Sequence, residues 1–183
     1  MSFKTLLSLL FIALTATTQA QATTTKTPVK VVDNFNIELY EGTWFEVART
    51  ENWFQKSCTK NTLADYSKNS DGTIRVENTC TTANGTTKQA IGTAKVEGPA
   101  KLKVSFAPKI TRFIDATWGD YWVIDIDKNY TLAAVSDPKR ENLWILSRSP
   151  RPAQAAYEAL LSRLEKNGFD TKTLINTKQE SAD

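Results

Sequence analysis

From residue 43 onward the chain is a succession of short segments in which apolar and polar residues alternate, separated by turn-forming residues. The clearest is Lys101-Leu102-Lys103-Val104-Ser105-Phe106, where Leu102, Val104 and Phe106 fall on one face of a strand. Strands are predicted over 43–50, 62–67, 73–77, 86–96, 101–106, 119–127, 130–135 and 141–148. Asp71-Gly72 supplies a hairpin turn, Asn84-Gly85 and Gly98-Pro99 bound the fourth strand, and Asp127-Lys128-Asn129 makes a tight turn. Eight strands with mostly short connections describe a meander, and closure into a barrel would remove its exposed edges. One helical pattern follows Ser149-Pro150: Ala156, Tyr157, Leu160, Leu161 and Leu164 share a face, while Gln154, Glu158, Arg163 and Glu165 turn away. Pro152 and Gly168 bound it. A helix with one apolar face must pack on something, and the outside of the barrel is the surface available. Leu174 and Ile175 then read as a short final strand.

The start of the chain reads differently. Lys4 followed by the apolar stretch 6–14 and Ala20-Gln21-Ala22 has the form of a signal peptide, residues 1–22, cleaved after Ala20 or Ala22. The apolar run is too short to span a bilayer, which takes roughly 20 residues. No cysteine precedes Cys58, so the leader carries no lipid-attachment cysteine, and a soluble secreted or periplasmic protein without a permanent membrane anchor is expected. The threonine-rich stretch 23–36 reads as a tether that packs little, 37–179 as one domain, and 180–183 as a tail. Net charge is +3, with basic residues scattered rather than clustered, which is no basis for binding nucleic acid. Cys58 and Cys80 are the only cysteines. A hairpin pivoting near Asn69 sets them opposite each other, at a separation of about 4.5 to 5.5 Å, within disulfide reach.

The ordered phrases of the chain resemble a known family. Gly42-Thr43-Trp44-Phe45-Glu46-Val47-Ala48-Arg49, Ala64-Asp65-Tyr66-Ser67, Gly92-Thr93-Ala94, Trp144-Ile145-Leu146-Ser147-Arg148-Ser149-Pro150 and Asn167-Gly168-Phe169-Asp170 are similar to those of lipocalins, within them the bacterial outer-membrane lipocalin and apolipoprotein D group. The resemblance implies an all-β fold: an eight-stranded up-and-down antiparallel β-barrel with one C-terminal α-helix packed outside. It makes Gly42, Trp44, Asp137 and Arg148 structural, the arginine crossing over the tryptophan at the closed end of the barrel. It also implies binding, storage or transport of a small lipophilic ligand, such as a fatty acid, a lysophospholipid or a similar lipid, inside the barrel. Tyr66, Phe106 and Trp122 match cavity-lining positions of that group. Strand alternation adds Thr62, Ala64, Val104 and Ile124. Trp53, Phe54, Phe113 and Trp118 fall in long loops, where exposed rings suit a lid or mouth.

Candidate chemistry changes this picture little. For an anionic ligand Lys56, Lys60, Lys109 and Arg112 are candidate cations, opposed by Asp115 and Asp120 if these line the same rim. An enzyme on the same barrel would need titrating groups in the pocket, and the chain has no histidine, the commonest neutral-pH base and a usual haem or zinc ligand. Asp125 and Asp127 share a strand face, but beside the turn at Asn129 they read as solvent-facing. The expectation is a binding protein, not an enzyme, with no cofactor or metal, acting as a monomer or homodimer. The alternatives are an enzyme on the same barrel acting on a lipophilic substrate and a protein-binding module using the barrel loops. Asn84 and Asn129 sit in glycosylation sequons, relevant only to a eukaryotic source.

Overall fold

The computed structural model describes residues 27–180. The expected leader, the first residues of the tether (23–26) and all but residue 180 of the tail lie outside the described residues. The described elements are helix α1 (Ile37–Tyr40), strands β1 (Gly42–Arg49), β2 (Cys58–Lys68), β3 (Ile74–Thr82), β4 (Thr87–Gly98), β5 (Lys101–Ser105), β6 (Gly119–Ile126), β7 (Leu132–Ser136) and β8 (Leu143–Ser147), helix α2 (Gln154–Lys166), and strand β9 (Ile175–Asn176). Strands β2 to β8 pair in sequence order, and β1 closes the sheet by pairing with both β8 and β2. The result is a closed eight-stranded antiparallel barrel, with β9 outside it. Two turns that place non-glycine residues at positive φ, Tyr130 (55°) and Arg140 (60°), are held by aspartates. Asp127 accepts from the backbone N–H groups of Asn129, Thr131 and Leu132, and Asp137 from those of Lys139, Glu141 and Asn142. Desolvation, the largest single influence, would raise the Asp127 pKa, but those bonds together outweigh it and hold the carboxyl below its ordinary value.

One end of the barrel is sealed by aromatic rings. Trp44 is fully buried, its indole Nε1 donates to the Tyr40 carbonyl (2.8 Å), and the Arg148 guanidinium carbon lies 4.0 Å from the Trp44 ring centroid. Arg148 spends every nitrogen there: Nη1 donates to Thr43 O (2.8 Å), Nη2 to Leu39 O (3.0 Å) and Glu41 O (2.7 Å), and Nε to Tyr130 O (3.3 Å). Gly42 takes a left-handed φ of +89°, and a Cβ there would come within 3.4 Å of Arg148 Nη1. The left-handed φ favours glycine at the entry to β1.

The described part of the expected tether is not loose. Val29 is buried, and Val31, Val32 and Phe35 pack against the core; the Val32 N–H donates to Val123 O (3.0 Å), and Phe35 meets Tyr40 edge-on at 5.2 Å. The threonines of this stretch obscured an apolar set that covers the closed end. Helix α2 lies outside the barrel as its pattern requires, with Leu160 and Leu164 buried against Leu132, Ala134, Leu143 and Ile145. Its C-terminus ends in a Schellman turn: Gly168 (φ +80°) donates to Glu165 O, Phe169 to Leu164 O, and the Phe169 ring folds back onto the helix cluster. Arg163 of α2 forms a two-pronged ion pair with Asp125 of β6, at 2.7 and 2.8 Å. Asp125 and Asp127 thus lie on the outside of the barrel, where the first docks a helix and the second fastens a turn.

Cys58 and Cys80 form a disulfide, with Cα atoms 5.6 Å apart. The hairpin register differs from the expectation: β2 carries irregularities at 58/60 and 60/63, so Cys58 stands opposite Thr82 and the bridge runs diagonally. Beyond the Phe45–Leu63 pair, β1 and β2 diverge, and the C-terminal segment enters the gap. Ile175 and Asn176 pair with Arg49 and Ala48, Thr177 N–H donates to Val47 O, and Lys178 O accepts from Asn61 N–H. Gln179 spans the gap, its amide donating to both Glu46 O and Thr62 O at 2.8 Å.

Replacing Arg148 by Lys is expected to destabilise the fold by about 2 kcal/mol, because an ammonium has neither the planar fork nor the flat face to serve four carbonyls and an indole at once. Urea denaturation measures it, and a loss below about 0.5 kcal/mol, the scale of ordinary surface substitutions, contradicts it.

Candidate ligand-binding site

Opposite the Trp44 seal, the barrel holds a cavity of about 540 Å³. This lies within the range of small-molecule sites. Its wall is made by the inward residues of the strands: Thr62, Ala64 and Tyr66 of β2, Val76 of β3, Ala90 of β4, Val104 of β5, Tyr121 of β6, and Trp144 and Leu146 of β8. Phe106 follows β5 and lies over Gly92, where a Cβ would come within 2.8 Å of its ring; the glycine makes room for the aromatic on the cavity wall. At the mouth, Trp53 and Phe54 meet edge-on at 5.6 Å, with Trp53 80% exposed.

Two polar groupings interrupt this apolar wall. On one side, Glu46 is 3% exposed, and its carboxylate accepts from Gln55 Nε2 (2.6 Å) and Thr177 Oγ1 (2.5 Å). Gln55 Oε1 in turn accepts from Trp144 Nε1 (3.0 Å) and Asn52 Nδ2 (2.6 Å). Arg49 Nε approaches Glu46 Oε1 to 3.5 Å, an ion-pair contact without hydrogen-bond geometry. Burial raises the Glu46 pKa, against the lowering effects of Thr177, Gln55 and Arg49. Lower in the barrel the hydroxyl of Tyr121 lies 2.8 Å from that of Tyr40 and 2.7 Å from that of Tyr66. Burial pushes all three phenols up.

A family model described as a lipocalin-like domain matches residues 35–179. The chain belongs to the lipocalin family. It is 38% identical over 161 residues to temperature-induced lipocalin-1 of Arabidopsis thaliana, covering 85% of this chain and 86% of that one. It is 35% identical to outer membrane lipoprotein Blc of Citrobacter freundii, covering 93% of this chain and 96% of that one. Mouse apolipoprotein D is 31% identical, over 81% of this chain and 79% of its own. The resemblance to the bacterial outer-membrane and apolipoprotein D group thus holds, and membership supports small-hydrophobic-ligand binding in general.

Within this lipocalin the sequence-predicted site residues divide. Trp53, Phe54, Thr62, Ala64, Tyr66, Val104 and Phe106 border the cavity. Trp122 and Ile124 do not: they point outward to the α2 cluster, and the Lys101 ammonium sits 4.3 Å over the Trp122 ring. Tyr121 and Val123 hold the inner face of β6 instead, because a strand covered by core on one side and by a helix on the other is apolar on both. Phe113 and Trp118 are also corrected. Phe113 is 82% exposed and off the cavity, while Trp118 donates from Nε1 to Arg112 O (2.7 Å) and lies beneath the Lys95 ammonium on the outer wall. Among the candidate cations, Lys60 pairs with Glu180 (2.6 Å), and Arg112 Nε donates to Ala107 O (2.9 Å). The cation that borders the cavity is Lys88, which donates to Ser57 Oγ (3.0 Å), and Asp120 shares the rim. Sequence reading passed over Glu46, Gln55, Tyr121 and Trp144. For Tyr121 the strand's alternation carried a signal, but Trp122 masked it; Gln55 lies in a loop, which has no period to follow.

Glu46 carries a pH signature. A carboxyl whose folded pKa is raised contributes stability fully present below its ordinary value near pH 4.5 and lost as pH rises through the folded value. Glu46→Gln, which keeps the shape without the charge, is therefore expected to gain stability relative to the unaltered chain as pH rises from about 4 to about 8. Urea midpoints across that range test it; a difference that is flat, or that slopes the other way, contradicts the assignment.

Proposed function

We propose that this lipocalin binds and carries a small hydrophobic ligand, a fatty acid, lysophospholipid or similar lipid, inside the barrel. The observation that carries this reading is the cavity of about 540 Å³, walled by Ala64, Tyr66, Val76, Val104, Phe106 and Leu146. A space of that size and lining takes up an apolar chain by removing it from water. Trp53 and Phe54 at the mouth give an entering chain its first apolar contact, and Lys88 offers a cation to an anionic headgroup left at the rim. The names of apolipoprotein D and outer membrane lipoprotein Blc associate two relatives with lipid. Binding rather than turnover is favoured because Glu46, the carboxyl buried in the cavity wall, is engaged by Gln55 and Thr177 and faces Arg49. The disulfide suits an oxidising compartment, which supports a secreted or periplasmic site of action.

The test is direct. Native mass spectrometry of protein from its own source is expected to show a co-purifying lipid. Titration with oleate and lysophosphatidylcholine is expected to change the emission of Trp53 and Trp144, which border the cavity. Ala90→Trp, which places an indole in the cavity, is expected to weaken both by about tenfold or more while melting cooperatively. Unchanged affinity in that variant would place the ligand elsewhere.

A further inference from the structure

We infer that the floor of the cavity is a hydrogen-bond donor site that selects lipophiles carrying a neutral acceptor oxygen, such as a ketone or ester carbonyl, at the end that enters first. The inference rests on the carrier reading above and adds the chemistry of the ligand's leading end.

It follows from counting protons. Tyr40, Tyr121 and Tyr66 have three hydroxyl protons between them and share two hydrogen bonds, both through Tyr121. One proton is left over. Tyr40 is 1% exposed, packed against Phe35, Trp44 and Tyr66, and its hydroxyl has no partner but Tyr121 among the described residues. If Tyr40 only accepted, its own proton would be buried without a partner, at a cost of about 1 to 3 kcal/mol. Tyr40 therefore donates to Tyr121. The surplus proton then sits on Tyr121 or Tyr66, and both border the cavity.

The other polar grouping is differently spent. Both carboxylate oxygens of Glu46 already accept, and Gln55 donates to Glu46 while accepting from Asn52 and Trp144. Of these two groupings the tyrosine cluster is thus the one with a donor to give; the Asn78 amide also borders the cavity, higher on the wall of β3, with its Oδ1 unpartnered among the described residues. Burial raises all three phenol pKa values, so the donor persists through neutral pH. The same site disfavours an anion. Each guanidinium nitrogen of nearby Arg148 is engaged by a backbone carbonyl, and an ionised carboxylate brought to the floor would lose its hydration with no cation to replace it. A charged head belongs instead at the rim, beside Lys88.

The experiment compares a medium-chain methyl ketone with the alkene in which a methylene replaces its oxygen, each displacing the neutral fluorophore phenylnaphthylamine. The unaltered protein is expected to prefer the ketone by about tenfold, the worth of one buried hydrogen bond. Tyr66→Phe with Tyr121→Phe removes both cavity hydroxyls and is expected to erase that preference, so that ketone and alkene bind that variant equally. Tyr40→Phe removes the hydroxyl that does not border the cavity and is expected to keep the preference. Equal affinity for ketone and alkene in the unaltered protein overturns the inference whatever the variants do. So does a preference that survives the double substitution or vanishes with Tyr40→Phe. Failure of the fluorophore, ketone and alkene alike to bind would overturn the carrier reading, and the donor site with it.

Discussion

The structure depends on one guanidinium. Arg148 lies over Trp44 and donates to four backbone carbonyls drawn from the α1 segment, β1 and the turn before β7. Those carbonyls belong to segments that end there, and without a donor they would face the loss of hydrogen bonding at a partly buried site. A planar cation with a fan of N–H groups satisfies them together and presents its face to the indole. This fastens the first strand of the barrel to the last at their lower ends.

Because that end is sealed by Trp44, Tyr40 and Phe35, the space that side chains leave unfilled lies toward the other end. There β1 and β2 diverge, and the gap is bridged by Gln179 and the C-terminal strand rather than by direct pairing. The Glu46 grouping is a consequence of the same geometry. It ties the loop after β1, strand β8 and the C-terminal segment to one carboxylate, so the wall of the cavity is held by polar contacts where the sheet itself is interrupted. The tyrosines below it are arranged differently: three hydroxyl protons share two hydrogen bonds, at the boundary between packed core and open cavity.

How much of this could be read from the chain varies with how each residue is constrained. The strands, the helix and its Gly168 stop, the Cys58–Cys80 bridge and the roles of Gly42, Trp44 and Arg148 follow from periodicity, turn residues and ordered motifs, all of them local patterns. Thr62, Ala64 and Val104 were legible because their strand segments alternate, and Tyr66 and Phe106 because the family resemblance marks their positions. β6 was not, since α2 covers its outer face and makes Trp122 and Ile124 as apolar in character as Tyr121 and Val123. Phe113 and Trp118 failed for another reason: an aromatic in a long loop signals an unusual environment without saying on which side of the wall it lies.

Taken alone, the sequence determined the class of fold and the order of its elements, and its family motifs marked Trp44 and Arg148 at the closed end, though not Tyr40 or Phe35 beside them. These rest on alternation, on glycine's freedom at positive φ and on pairings between few and distinctive side chains. Only the tertiary structure decided which face of β6 looks inward, that the described tether packs under the barrel, and that Glu46, Gln55, Thr177 and Trp144 meet although up to 131 residues separate them. Such contacts depend on where closure brings distant segments together, and bulges shift that register by single residues. A one-residue shift turns a side chain from the cavity to the outside, and nothing in the local pattern records it.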